Sequence, residues 1–181
     1  RFVHLSQDVF PEVTRLLEDF RSRLVDGALE RVSRSLIGGA DRVVAVGETM
    51  RDLLVQRRGA DPARVAVIHN WADCAALAPR PKDNAFAREH GLSESFVVMH
   101  SGNVGLSQDL DTLLDAAAVL RDERGIVFVV MGDGARRTAL EARARAEGLG
   151  QVRFLPHQPA DGLADAFGSA DIFVISLKKG L

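Results

Sequence analysis

The sequence predicts an α/β protein built on parallel sheets. Two observations carry that expectation: seven short, continuous apolar runs rich in β-branched residues, and longer stretches of helical period between them. Apolar runs that do not alternate with polar residues suit strands covered by helices on both faces, which is the environment of a parallel sheet. At about 100 to 200 residues per domain, the 181 residues make one full domain, or one domain plus part of another.

The predicted strands are Phe2 to Leu5, Val43 to Val46, Val65 to Ile68, Phe96 to Met99, Ile126 to Met131, Val152 to Leu155 and Ile172 to Ile175. After the first, Val13, Leu16, Leu17, Phe20, Leu24 and Val32 mark one helical face between Phe10 and Gly39, with Pro11 in the first turn and Gly38-Gly39 as the stop. After the second, Thr49 and Asp52 read as a capping box for a helix carrying Leu53 and Leu54 and ending at Arg57-Arg58-Gly59. Strand and helix patterns then lapse from Trp71 to Pro81, where Pro79 and Pro81 punctuate Ala-rich sequence, and a boundary is expected. Beyond Phe96, strands alternate with helices marked by Leu110, Leu113, Leu114, Ala117 and Leu120, then Leu140, Ala144 and Ala146, then Leu163 and Phe167. That order predicts a doubly wound unit with right-handed crossovers.

Composition excludes several function classes. Lys and Arg total 23 against 25 Asp and Glu, a net charge of -2, which lacks the surplus that drives phosphate-backbone binding, so no nucleic-acid partner is expected. Cys74 stands alone, ruling out an internal disulfide and a clustered-cysteine zinc site. The apolar runs are far shorter than the 18 or so residues of a membrane span, and the N-terminus lacks a secretory layout, so a cytoplasmic location is expected. Starting at Arg1 without Met and stopping soon after an apolar run, the sequence reads as a fragment.

In an open parallel sheet, ligands bind at the carboxyl ends of strands. Two turns there are glycine-rich: Ser101-Gly102-Asn103-Val104-Gly105-Leu106-Ser107-Gln108, and Met131-Gly132-Asp133-Gly134-Ala135. Glycines let backbone approach a ligand, and a helix N-terminus opening after such a turn favours an anion. Each turn alone is ordinary punctuation; the pair, following successive strands, predicts a site for a ligand with a nucleotide and a phosphate group. Arg136-Arg137 stands where a dinucleotide fingerprint needs its third glycine, and no Gly-Lys-Ser/Thr occurs. Asp109-Leu110-Asp111 looks like a metal-holding pair but falls in a first helical turn, where acids complement the dipole. The histidines at 4, 69, 90, 100 and 157 lack metal-ligand spacing, and only His100 and His157 follow strands at the ligand edge. Trp71 and Phe154 read as packing.

Taken in order, Gln7-Asp-Val-Phe-Pro-Glu12, Ala40-Asp-Arg-Val-Val-Ala-Val-Gly-Glu48, Val65-Ala-Val-Ile-His-Asn-Trp-Ala-Asp73, Ser101-Gly-Asn103 and Gly132-Asp-Gly134 resemble family 4 glycosyltransferases. More narrowly, they resemble the bacterial surface-polysaccharide branch that includes N-acetylfucosamine transferases. The resemblance implies a retaining transferase of GT-B type: two Rossmann-like doubly wound domains, both incomplete in this chain, with the active site in the cleft between them. Residues 1–73 would be the C-terminal part of the acceptor-side domain, 74–81 the connector, and 82–181 the donor-binding domain, incomplete at its C-terminus.

It further implies that Gln7 and Asp8 are catalytic and face the cleft. Gly102, Asn103, Gly105, Gln108, Gly132, Asp133, Gly134, Pro156 and His157 would bind the donor. Asn103 and Gln108 stand where many members carry cations for the diphosphate, and Gln7 where many carry His; these read as features of the branch. The implied partners are a nucleotide-sugar donor, UDP favoured over GDP, and a glycan or lipid-linked acceptor. No cofactor or metal is expected, and peripheral membrane association would use segments not in this chain. Two rivals remain open: a nucleotide-sugar 2-epimerase of the same fold and a non-catalytic nucleotide-binding module.

Overall fold

The structure, a computed structural model, describes residues 1–8 and 23–178, arranged in two compact units, Arg1–Ala72 and Asp73–Gly180. In the first unit, β1 (Val3–Ser6), β2 (Arg42–Ala45) and β3 (Val65–Val67) form a parallel sheet in that order, with Ser6 beside Ala45 and Ala45 beside Val67. Helices α1 (Arg23–Gly38) and α2 (Glu48–Arg58) supply the crossovers, and Ile37, Ala40, Val43, Ala45, Leu54 and Ala60 make the core.

Two helix expectations are corrected here. The start of the Phe10 to Gly39 helix, with Pro11, Val13, Leu16, Leu17 and Phe20, lies outside the described residues. Within α1 the packed stripe is Leu29, Ser33 and Ile37 at i, i+4 and i+8, which leaves Val32 off the stripe and 55% exposed. There is no capping box on α2: Gly47 is the N-cap without a side-chain bond, so Thr49 is already helical, and the first turn instead holds an Arg51–Glu48 ion pair at 2.5 Å. The stop is as expected, with Gly59 at φ +71° in the left-handed region.

The second unit orders its strands β6-β5-β4-β7, all parallel: β4 (Phe96–Ser101), β5 (Ile126–Met131), β6 (Val152–Leu155) and β7 (Ile172–Phe173). The period of two along β5 divides the core. Phe128 and Val130 pack with Leu113, Leu114 and Leu140 of α4 (Asp111–Val119) and α5 (Arg137–Ala146) on one face. Val127, Val129 and Met131 pack with Phe86 and Ala166 of α3 (Ala85–Glu89) and α6 (Leu163–Gly168) on the other. The unit is therefore doubly wound. Burial on both faces does not hold for all seven strands: Val3 and Leu5 of β1 and Ile172 and Phe173 of β7 are exposed, each strand having one neighbour among the described residues. Among the described residues no helix is long and apolar enough to cross a membrane.

At the amino edge of this sheet, the Asp171 carboxylate accepts from Val97 N–H at 2.7 Å and from Lys82, whose ammonium also donates to Ser95 O at 2.6 Å. Burial opposes ionisation of Asp171, yet the Lys82 and Val97 hydrogen bonds and the Lys82 charge outweigh it and hold the carboxyl below its ordinary value. A depressed folded pKa contributes stability that is present above the unfolded value, about 4, and is lost as pH falls through the folded one. Asp171→Asn is therefore expected to lower stability at pH 7, with the gap to wild type closing below about pH 4. Urea unfolding across pH 3 to 7 checks this; a gap of constant size would show that the ion pair contributes nothing.

Candidate functional site

The register of the second unit sets Ser101 beside Met131 and Met131 beside Leu155, so β4, β5 and β6 end together and their turns stand side by side. On its other flank β4 pairs with β7, which makes the β4–β7 boundary the topological switch point, where open α/β sheets form a crevice.

The turns after β4 and β5 interlock through backbone. Gly102 N–H donates to Met131 O at 2.9 Å, Val104 N–H to Asp133 O at 2.8 Å, and Arg136 N–H to Val104 O at 3.0 Å. Gly132 has φ +137°, and a Cβ on it would collide with Gly102 O; Gly134 has φ +154°, and a Cβ would meet Val104 C at 2.6 Å and Asn103 Oδ1 at 2.7 Å. These two glycines thus allow the two turns to pack closely against each other. Gly102 is different: φ is +145° and a Cβ there would face open space. Gly105 needs no special φ, and a Cβ on it would meet the side chains of Asn103 and Gln108 rather than a ligand cradle.

The first turn is also less of a bare amide cradle than the sequence implies. Gln108 Oε1 accepts from Gly105 N–H and from Ser107 Oγ, each at 3.2 Å, so Gln108 organises the turn from within. Helix α4 begins only at Asp111, after several further residues, and Asp109 precedes it. Asp111 does more than complement a dipole: it pairs with Arg136 at 2.6 Å and Arg143 at 3.1 Å. Burial opposes its ionisation, but hydrogen bonds from both guanidinium groups lower its pKa. Among the described residues no cluster of three or more His, Cys, Asp or Glu could hold a metal ion.

Three further groups shape this edge: Arg137 and His100, whose positions the sequence marked without giving them a role, and Ser176, which it did not mark. Arg137 donates to the carbonyls of Gly132 and, at 2.9 Å, Leu155, and pairs with Glu141 at 2.8 Å, clamping the ends of β5 and β6. Its position three residues after Gly134 of the Gly-x-Gly turn was the available signal. His100 is 5% exposed, with Nδ1 3.1 Å from Val174 O and Nε2 buried without a partner. Ser176 Oγ is likewise buried without one. Pro156 and His157 are exposed on the turn leaving β6, next to that after β5. Asn103 and Asp133 are exposed, and Asp133 Oδ1 accepts from Gly134 N–H at 2.7 Å.

In the first unit, Gln7 and Asp8 follow β1 directly and are exposed. With Ser6 they line a cavity of about 330 Å³ whose remaining wall is largely Leu29, Val32, Leu36, Ile37 and Leu54. His4 and Ser33 line it as well, so the mouth of the cavity is polar while its floor is apolar.

Comparison with known proteins adds a second line. Residues 82–179 match the family described as glycosyl transferases group 1, and residues 3–76 match glycosyltransferase family 4. A D-inositol 3-phosphate glycosyltransferase of Salinispora arenicola is 34% identical over 157 residues, 77% of this chain and 35% of the relative. A glycosyl transferase assigned to colanic acid biosynthesis in Escherichia coli K12, WcaI, is 27% identical over 150 residues, 81% of this chain and 36% of the relative. Anabaena HepE in complex with UDP-glucose superimposes with a TM-score of 0.76 at 20% identity, covering 97% of this chain and 46% of HepE. The chain thus spans about a third to a half of the length of the proteins it matches. The fold is of GT-B type, and the chain belongs to the group 1 glycosyl transferases.

Proposed function

We propose that the protein containing this chain transfers a sugar from a nucleoside diphosphate donor, UDP favoured over GDP, to a glycan or lipid-linked acceptor, with retention of anomeric configuration, in surface-polysaccharide synthesis. One observation carries this reading: the interlocked turns after β4 and β5, with Gly102 facing open space, lie beside the switch point of a doubly wound sheet. UDP in the HepE complexes supports the choice of base.

On this reading the turn from Gly102 to Gln108 receives the diphosphate, and the Pro156-His157 turn lies on the side of the base. Stabilising the leaving diphosphate is the main electrostatic task, because negative charge grows there as the glycosidic bond breaks. Gln7 and Asp8 act from the acceptor-side unit; residues 1–73, 74–81 and 82–181 keep the roles of acceptor-side piece, connector and donor-binding piece. No metal is assigned a role, since Asp111 of the Asp-x-Asp motif is committed to Arg136 and Arg143. The reaction takes place on the cytoplasmic side.

The full-length protein incubated with a panel of nucleotide sugars is expected to release UDP, with or without a supplied acceptor, at a rate that depends on one donor. Release of neither UDP nor GDP from any donor sinks the reading, and release of free epimerised sugar would replace it with the epimerase.

A further inference from the structure

A diphosphate brings two or more negative charges and must be met by N–H donors or cations. Much of the local supply is already committed. The N–H groups of Gly102, Val104 and Gly105 are bonded within the turns. Arg136 is paired with Asp111, and Arg137 is spent on two carbonyls and Glu141. Gln108 is neutral and its oxygen faces inward.

Lys178 is in a different position. Its backbone N–H donates to Ser107 O at 2.9 Å, which lays it alongside the β4 turn, and among the described residues its ammonium makes no ion pair. The segment leading to it is tied to β4, through Val174 N–H to Met99 O at 2.8 Å and through the His100 ring to Val174 O. Burial alternates along that segment. Ile175 and Leu177 are 88% and 59% exposed, while Val174, Ser176 and Lys178 are half-buried. Lys178 therefore shares the inward parity of Ser176, whose hydroxyl has no partner.

We propose that Lys178 is the cation that meets the donor diphosphate beside the Gly102 to Gln108 turn. The assignment rests on reading this edge as the nucleotide-sugar site, and it specifies where the positive charge comes from: the strand-end segment after β7 and not the turn itself.

Calorimetry on the full-length protein, with UDP and uridine as probes, tests it. Lys178→Gln is expected to weaken UDP at least about tenfold, the size of a lost charge-assisted hydrogen bond, and to leave uridine within about twofold. The loss should shrink with added salt, and Lys178→Arg should retain most of the affinity. Arg121→Gln, beyond the far end of α4, makes the same charge change away from the turn and should leave UDP unaffected. If wild type binds UDP and Lys178→Gln binds it equally well, the assignment is overturned while the site stands. An equal loss in Arg121→Gln, or an equal loss of uridine binding, also overturns it. If wild type binds no UDP at all, the nucleotide-site reading falls and takes the assignment with it. Unfolding midpoints of both Lys178 variants separate binding from folding.

Discussion

Gly132→Ala is expected to destabilise the second unit by about 3 kcal/mol or more, the largest effect of any single methyl in the site. Two independent penalties act at that position. A φ of +137° lies in a region that L side chains rarely adopt, and the added Cβ would land on the carbonyl oxygen of Gly102. That oxygen cannot yield cheaply, because it is backbone and Gly102 N–H is held by Met131 O. Gly102→Ala shares the first penalty, at φ +145°, but meets nothing within 4 Å, so it should cost about 1 to 3 kcal/mol of strain. Its methyl would then stand in the open space assigned to the ligand, so UDP binding should suffer as well. Gly105→Ala meets Asn103 Nδ2 at 2.5 Å, Gln108 Oε1 at 2.8 Å and Asn103 Cγ at 3.1 Å, side-chain atoms that can shift at the cost of the two Gln108 hydrogen bonds. Urea unfolding of the three variants should therefore rank Gly132 above Gly102 above Gly105 in cost. Equal midpoints for Gly132→Ala and Gly105→Ala would mean that the two turns are not locked together.

The same comparison shows which features a sequence reader can see. The α/β class and the placing of the strands were legible because each strand is a short β-branched run, a signal confined to a few neighbouring residues. Helix α3 was not foreseen, since Ala85–Glu89 is barely one turn and too short for a period; the only cue was Asn84 as a cap. Thr49 misled because a capping-box pattern is common by chance, and the chain enters α2 so directly from Gly47 that Thr49 is already inside the helix.

In the site, the glycines themselves stood out, but their separate duties did not. Whether Gly132 answers to a ligand or to Gly102 depends on the pairing of Ser101 with Met131, a contact across thirty residues of chain that no local pattern encodes. Asp111 is a similar case. Its arginine partners lie 25 and 32 residues away, on the far side of β5, so the local dipole argument was the only one available from sequence.

Asn84→Ala should be the next most damaging change, costing about 2 to 4 kcal/mol in the second unit. Asn84 is 7% exposed and uses both ends of its amide. Oδ1 caps α3 by accepting from Ala87 N–H at 3.0 Å, and Nδ2 reaches Pro81 O at 2.9 Å, Asp165 O at 2.8 Å and Ser169 Oγ at 3.1 Å. Truncation removes a cap worth about 1 kcal/mol and takes the donor from the part-buried Pro81 carbonyl, an unmet group costing about 1 to 3 kcal/mol, while Asp165 O keeps the Ser169 hydroxyl and N–H. The location gives the loss a wider consequence. Arg80 lies 3.7 Å from Asp165, and a Cβ on Gly168 would meet Arg80 Cβ at 2.8 Å, so residues 80–84 are held against α6 where the chain enters the unit. Asn84→Asp distinguishes the two halves of the amide. It keeps the acceptor for Ala87 N–H but sets a carboxylate among the carbonyls of Pro81 and Asp165, so at pH 7 it should be no better than Asn84→Ala. Unpaired burial among acceptors raises the new carboxyl's pKa, and below that value the protonated acid can donate again. Urea unfolding at pH 7 and pH 4.5 should therefore show Asn84→Asp recovering relative to Asn84→Ala at the lower pH, and parallel behaviour of the two variants would show that the donor half of Asn84 contributes nothing.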